Sequence, residues 1–237
     1  MGIHEFKQEV KESQAHTRTY INNHSFNRKW SGTTNPTSFK MVHQQQQQLS
    51  ESLHPKWEDL SKLKILDFGC GKGFRLKWCE QMGANNKNLY GIDVSEEHIN
   101  EGQNLYPNLN IKPYNGHDID FEDGYFDLIM CWVVFSAIPN EEYRKYIANK
   151  LYSKLSKGGY IFWWDLPRMV IPSEKGQPNK HELLWPNLHP DLKGISQNSK
   201  PSEGIRGLRG LKKIISPLVD SLAYPDSHVC GLLGPKY

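Results

Sequence analysis

Between residues 63 and 165 apolar and polar positions alternate in short blocks that predict strands and helices in turn. Ile65 to Phe68 is a short apolar run closed by glycine, as expected of a buried parallel strand. Lys72 to Met82 reads as a helix ended by Gly83. Asn88 to Ile92 forms a second strand ending at Asp93. Ser95, Glu96 and Glu97 then open a helix that stops before Pro107: the serine caps free N–H groups and the acids suit the positive helix end. Leu109 to Lys112 is a third strand and Tyr125 to Val134 a fourth. Asn140 heads a helix to Leu155, with apolar positions at Tyr143, Tyr146, Ile147, Leu151 and Leu155. Lys157-Gly158-Gly159 is a turn before a fifth strand, Tyr160 to Trp164, ending at Asp165. Such alternation predicts an α/β fold with a parallel sheet and helices on both faces.

The flanks differ from this middle. Residues 1–62 carry few aliphatics and several spaced aromatics, and are read as an N-terminal helical cap or lid. Within them a helix starts near Pro36 to Ser38 and runs through Gln44 to Gln48 to about Leu53. Residues 63–237 form the core, with an irregular proline-rich insertion at about 166–204, a length that marks a lid or binding loop. After it come a sixth strand at Leu208 to Ile215, a helical turn at Pro217 to Leu222 and a seventh strand at Ser227 to Leu233.

Composition narrows the function classes. The 237 residues suit one domain, and 29 basic against 26 acidic residues, with no long basic block, do not imply nucleic acid. The four cysteines match no zinc spacing, so free thiols and no metal are expected. The N-terminus has charges where a secretory segment needs an apolar run, and Leu128 to Ile138 is far shorter than the ~20 residues that span a bilayer. A cytoplasmic protein without a membrane segment is the expectation, and nothing in the pattern sets an oligomeric state.

The chemistry gathers at Asp67-Phe68-Gly69-Cys70-Gly71-Lys72-Gly73, a D-x-G-x-G-x-G turn between strand and helix. Its third glycine comes one residue earlier than in the G-x-G-x-x-G of dinucleotide enzymes. Asp67 beside the turn would repel a pyrophosphate in a low-dielectric crevice, so a cationic or zwitterionic ligand fits better. At the end of the second strand, Asp93 can accept hydrogen bonds from both hydroxyls of a ribose.

These residues resemble the class I S-adenosylmethionine (SAM)-dependent methyltransferases. The resemblance implies a Rossmann-like, seven-stranded, mostly parallel sheet whose last strand is antiparallel. It sets Asp67, Gly69, Cys70, Gly71 and Gly73 under the methionine part of SAM, and Asp93 with Val94 at the ribose. Asn115-Gly116-His117-Asp118-Ile119 resembles the segment in which an acid meets the adenine amine and an apolar residue packs on the ring; Asp118 and Ile119 fill those roles, with Asp120 as rival acid. Cys131 to Phe135 would flank the methyl-donor pocket, and Leu155 to Phe162 resembles the last helix, turn and strand of the same pattern. Asn35-Pro36, Trp163-Trp164-Asp165 and Asn187 to Ile195 look like a small-molecule branch associated with bacterial polysaccharide or secondary-metabolite genes.

A methyl group already activated on sulfur needs chiefly alignment, which can supply ~7 to 11 kcal/mol of barrier reduction. His117 and His24 are candidate bases, with His181 and His189 by residue type alone. The acceptor should lie over the carboxyl ends of the strands, between Tyr20, Phe26, Arg28 and Trp30 on one side, Phe135 below, and Trp164, Asp165 and Arg168 on the other. Trp30 and Trp164 serve equally well as anchors of the N-terminal lid. The expected activity is methyl transfer to a small molecule, a sugar or secondary metabolite, at oxygen; no N-P-P-Y/F motif follows the fourth strand. A non-catalytic SAM-binding scaffold is the alternative. A nicotinamide-dependent dehydrogenase is disfavoured by the glycine spacing and by the outer-face setting of Tyr146 and Lys150.

Overall fold

The computed structural model describes residues 36–138, 140–165 and 229–237, the strand backbone at 168–171 and 180–183, and positions 8, 10–12 and 15. Helix α1 (Pro36–Leu53) precedes strand β1 (Ile65–Phe68), which is followed by α2 (Phe74–Gln81), β2 (Leu89–Asp93), α3 (Glu96–Leu105), β3 (Asn110–Pro113), β4 (Phe126–Trp132), α4 (Glu141–Lys154) and β5 (Leu155–Asp165). Two short strands, β6 (Arg168–Ile171) and β7 (Lys180–Leu183), and a final strand β8 (Val229–Leu233) complete the elements.

The main sheet runs in the order β3-β2-β1-β4-β5-β8. All its pairs are parallel except β5 with β8, which is antiparallel. The strand order turns back between β1 and β4, so the crevice above their carboxyl ends is where an α/β sheet of this type receives a ligand. Six strands of the expected seven are in this sheet among the described residues, and the predicted strand at Leu208 to Ile215 lies outside them. Within the stretch expected to be irregular, β6 and β7 pair with each other as a separate antiparallel hairpin.

Side-chain alternation along the strands builds two apolar layers. Leu66, Phe68, Ile129, Cys131, Ile161 and Trp163 face α4 through Tyr143, Ile147 and Leu151. Ile65, Leu128, Met130, Trp132, Phe162 and Trp164 face the other way, onto Leu49 and Leu53 of α1, Leu76 and Trp78 of α2 and Ile99 of α3. Full burial of each such side chain is worth roughly 1.5–3 kcal/mol, and the two layers fix where the carboxyl edge of the sheet lies.

Local chemistry sets the boundaries. Ser95 accepts from the His98 N–H at 3.3 Å and Asn140 from the Tyr143 N–H at 2.9 Å, so both helices start where their caps predict. α2 begins two residues later than expected because Gly73, at φ +82°, still belongs to the turn. β4 stops at Trp132, short of the predicted Val134, where Val133 turns to φ +54°. The turn expected at Lys157-Gly158-Gly159 is absorbed into β5 as a bulge between the pairs Phe126 with Leu155 and Leu128 with Tyr160. Gly158 at φ +79° makes that bulge possible, and the C-terminal tail holds it: Gly158 N–H donates to the Lys236 carbonyl and Lys236 N–H to that of Gly159.

Candidate methyl-donor site

The glycine turn is tied to β2 before any ligand is considered. Gly69 N–H and Cys70 N–H both donate to the Ile92 carbonyl, at 2.8 and 3.1 Å, and Gly73 N–H closes the turn onto the Cys70 carbonyl at 2.9 Å. Asp93 completes the tie: Oδ2 accepts from Gly71 N–H and Oδ1 from Ser95 N–H, each at 2.8 Å. Each carboxylate oxygen keeps a lone pair beyond those bonds, and the half-buried side chain holds one orientation. Val94 beside it is half-buried against the α4-side layer.

Two glycines carry the shape of the crevice. Gly69 has φ +76°, and a Cβ there would stand 2.8 Å from Val134 Cγ2, so the loop after β4 rests directly on the turn. Gly71 has φ +55°, and a Cβ there would project into open space. Backbone is bare where a ligand can approach it, which is the fit a zwitterion lying on the turn requires.

Asp67 is fully buried, on the same side of β1 as Ile65, with neither carboxylate oxygen hydrogen-bonded. Strand alternation turns it towards α2, on the side of the sheet that carries Ile65. Burial pushes its carboxyl up to about 7; the Arg75 guanidinium opposes that and Asp93 adds to it. Arg75 itself lies 4.7 Å over the Trp132 ring. Cys70 and Cys131 are buried thiols whose pKa values burial raises, with Asp67 next in effect for both, so neither is poised as a nucleophile.

The segment after β3 is a stiff turn. Asn115 Oδ1 accepts from His117 N–H at 2.8 Å and Asp118 N–H at 2.9 Å. From α4, Tyr143 donates its hydroxyl to the Gly116 carbonyl at 2.6 Å and Tyr146 to that of His117 at 3.2 Å. Tyr114 N–H donates to the Asp93 carbonyl at 2.7 Å, which couples this turn to the acid at the end of β2. Asp118 keeps an exposed carboxylate with Oδ2 2.8 Å from His117 Nδ1, while Ile119 is buried in the α4-side layer. Asp120 instead reaches Lys112 Nζ at 3.3 Å on the β3 side, so the two acids of this segment are spatially separate.

Most residues expected at the acceptor side lie outside the described ones. Tyr20, His24, Phe26, Arg28, Trp30 and His189 lie outside the described residues. Arg168 opens β6 opposite Leu183, and His181 stands in β7 opposite Val170. Phe135 is buried below the carboxyl edge. Trp164 is buried and donates its indole N–H to Gln48 Oε1 at 3.0 Å, fastening α1 to β5, the anchoring role. Sequence reasoning passed over Gln48, hidden in a uniform glutamine run, and the Asx turn of Asn115, whose Asn-Gly spacing was a readable signal. It also passed over the partners of Asp165: Oδ2 accepts from Phe135 N–H at 3.0 Å and Ser136 N–H at 3.2 Å.

A mostly parallel sheet with a bare glycine turn under its crevice and an oriented acid at the next strand end defines an α/β protein with a ligand crevice where its strand order turns back. Residues 65–159 match the family model described as a methyltransferase domain. That match supports a class I SAM-dependent methyltransferase domain in this part of the chain, an enzyme domain whose methyl-donating cofactor is SAM. A curated protein of Rickettsia prowazekii, described as uncharacterized, is 27% identical over 181 residues, covering 68% of this chain and 71% of its own length. Among solved structures, the cyclase SpnF aligns with a TM-score of 0.55 at 13% identity, over 86% of this chain and 84% of its own, a likeness of fold. A SAM-dependent methyltransferase from Mesorhizobium loti aligns with a TM-score of 0.48 at 14% identity, over 77% and 95% of the respective chains. The chain spans about half the length of some structures it matches, 51% and 50% in two cases. Among the described residues, no helix is long and apolar enough to cross a membrane.

Proposed function

We propose that this chain transfers the SAM methyl group to a hydroxyl oxygen of a small molecule, a sugar or secondary metabolite, in the cytoplasm and without nucleic acid as substrate. The observation that carries the donor half is the pairing of Gly71 N–H with Asp93 Oδ2, which joins the bare turn to an acid whose spare lone pairs suit ribose hydroxyls. When bound, SAM supplies a methyl group already activated on its sulfonium, so the chain's own part is orientation and exclusion of water. Gly69 and Gly71 offer backbone to the methionine part, Asp93 the ribose contact, and Asp118 an exposed acceptor for the adenine amine.

The end of β4 and its loop support the acceptor half. Cys131-Trp132-Val133-Val134 stands there in place of the N-P-P-Y/F run of adenine-N6 and glutamine-type N-methylation, and Val133 is partly exposed at the carboxyl edge. Residues 1–62 serve in this reading as the cap on the acceptor side, with α1 fastened by Gln48 and Trp164. A fold shared with a cyclase does not select the reaction, so the test must detect product. Radiolabelled SAM is incubated with the protein and fractionated small-molecule extracts. Label transferred to an alkali-stable ether in a low-molecular-weight fraction supports the proposal; label on protein, on nucleic acid or on nitrogen refutes its acceptor half.

A further inference from the structure

The loop after β4 is held in a costly conformation. Val133 sits at φ +54°, a left-handed backbone that a β-branched residue adopts at a cost of roughly 1–3 kcal/mol. Strain of this kind persists only where the surroundings over-determine it. Here two consecutive residues of β5 do so. The Trp164 carbonyl accepts from Val133 N–H at 2.7 Å, and Asp165 Oδ2 accepts from Phe135 and Ser136 N–H at 3.0 and 3.2 Å. Between those grips lies Val134, whose Cγ2 rests 2.8 Å from where a Gly69 Cβ would stand. Asp165 is a fully buried acid, and a buried carboxylate is retained at a desolvation cost that a neutral residue of similar shape would avoid.

We propose that Asp165 is a positioning residue for the methyl-donor site: it latches the strained loop 133–136 so that Val134 presses on Gly69 and holds the SAM-binding turn in its receptive shape. The inference rests on the donor-site reading of the glycine turn and Asp93. Asp165 touches neither cofactor nor acceptor in this role; it acts through Val134. The alternative is that Asp165 only caps the short 3-10 turn at Phe135–Ala137 and contributes stability alone. The two differ in whether Asp165 and Val134 are coupled in ligand affinity.

The experiment is isothermal titration with S-adenosylhomocysteine of the full chain and of Asp165→Ala, Val134→Ala, the double variant and Asp93→Ala, at a temperature where circular dichroism shows each folded. Asp165→Ala and Val134→Ala are each expected to weaken binding about tenfold, and the double variant no more than about twofold beyond the weaker single, because both break one device. Wild-type affinity in Asp165→Ala, or a double variant showing the product of both losses, overturns the proposal. If Asp165→Ala does not fold, Asp165→Asn replaces it. Its amide oxygen can accept the same N–H groups without the charge, so a loss of about threefold with the same non-additivity is expected, and unchanged affinity overturns the role. Unchanged affinity in Asp93→Ala, or no binding by the wild type, instead overturns the donor-site reading, and the proposal falls with it.

Discussion

Asp93 Oδ2 accepts the Gly71 N–H at 2.8 Å, so the acid at the end of β2 and the middle glycine of the turn after β1 form one unit. The same carboxylate accepts from Ser95 N–H, which leaves the side chain no freedom to swing away from the crevice. Asp93→Ala therefore frees the turn and, in the proposed donor site, removes the ribose contact with it. S-adenosylhomocysteine binding should weaken more than tenfold, equivalent to at least ~1.4 kcal/mol, in a variant that still folds. Asp93→Asn should lose less, since its amide oxygen can accept one of the two backbone N–H groups. Equal affinities for wild type and Asp93→Ala in calorimetry would remove the ribose role.

Gly69 and Gly71 make opposite predictions from neighbouring positions. At Gly69 an added Cβ meets both a positive φ and Val134 Cγ2 at 2.8 Å. Gly69→Ala should destabilise the fold by roughly 2–4 kcal/mol, seen as a lower urea midpoint. At Gly71 the added Cβ meets nothing within 4 Å, so Gly71→Ala should cost only the left-handed strain of about 1 kcal/mol while filling the surface proposed for the ligand. Its urea midpoint should fall less than that of Gly69→Ala while S-adenosylhomocysteine affinity collapses. A Gly71→Ala variant that binds normally would mean the ligand does not lie on this turn.

The parts legible in the sequence were those written in short-range chemistry. The glycine turn, the apolar runs of β1 and β4, the Ser95 and Asn140 caps and the antiparallel β8 each leave a local mark, in period, in residue type or in family pattern. Features set by residues distant in sequence were not legible. Nothing local in Val133 tells that its φ becomes positive, because Trp164 and Asp165 impose it from β5. Lys157-Gly158-Gly159 has the composition of a turn and becomes a bulge because Lys236 pairs with it from the C-terminus. Asp67 reads as a ligand residue by motif, yet strand parity places it beneath α2.

Asp67 carries a prediction in pH. Its folded-state pKa is raised to about 7, chiefly by burial, from an unfolded value near 3.8. Between those values the folded state binds the proton and the unfolded state does not, so stability falls as pH rises from about 4 to 7 and levels above it. The full cost, present above pH ~7, is about 4 kcal/mol at most, since one unit is worth ~1.4 kcal/mol. Asp67→Asn, which cannot ionise, should lose this component: relative to wild type it should gain stability between about pH 5 and pH 8. Urea titrations of both proteins at the two pH values measure it, and parallel pH profiles would show that Asp67 stays ionised throughout.

Trp164 and Gln48 connect α1 to the sheet across 3.0 Å, indole N–H to amide oxygen. Trp164 also packs 5.6 Å from Trp132, ring centroid to centroid, so removing the whole side chain would disturb the core as well as the link. Gln48→Ala isolates the link. It leaves a buried indole N–H without that acceptor, and the loss should be about 1–2 kcal/mol of stability. Because α1 is attached through this contact and through Leu49 and Leu53, the loss should fall on α1 first. Amide exchange in α1 should quicken more than about tenfold in Gln48→Ala while exchange in β1 and β4 follows the global stability. If α1 exchanges in step with β1 in both proteins, the helix is not a separately opening cap, and Gln48 is only one more contact of a single cooperative core.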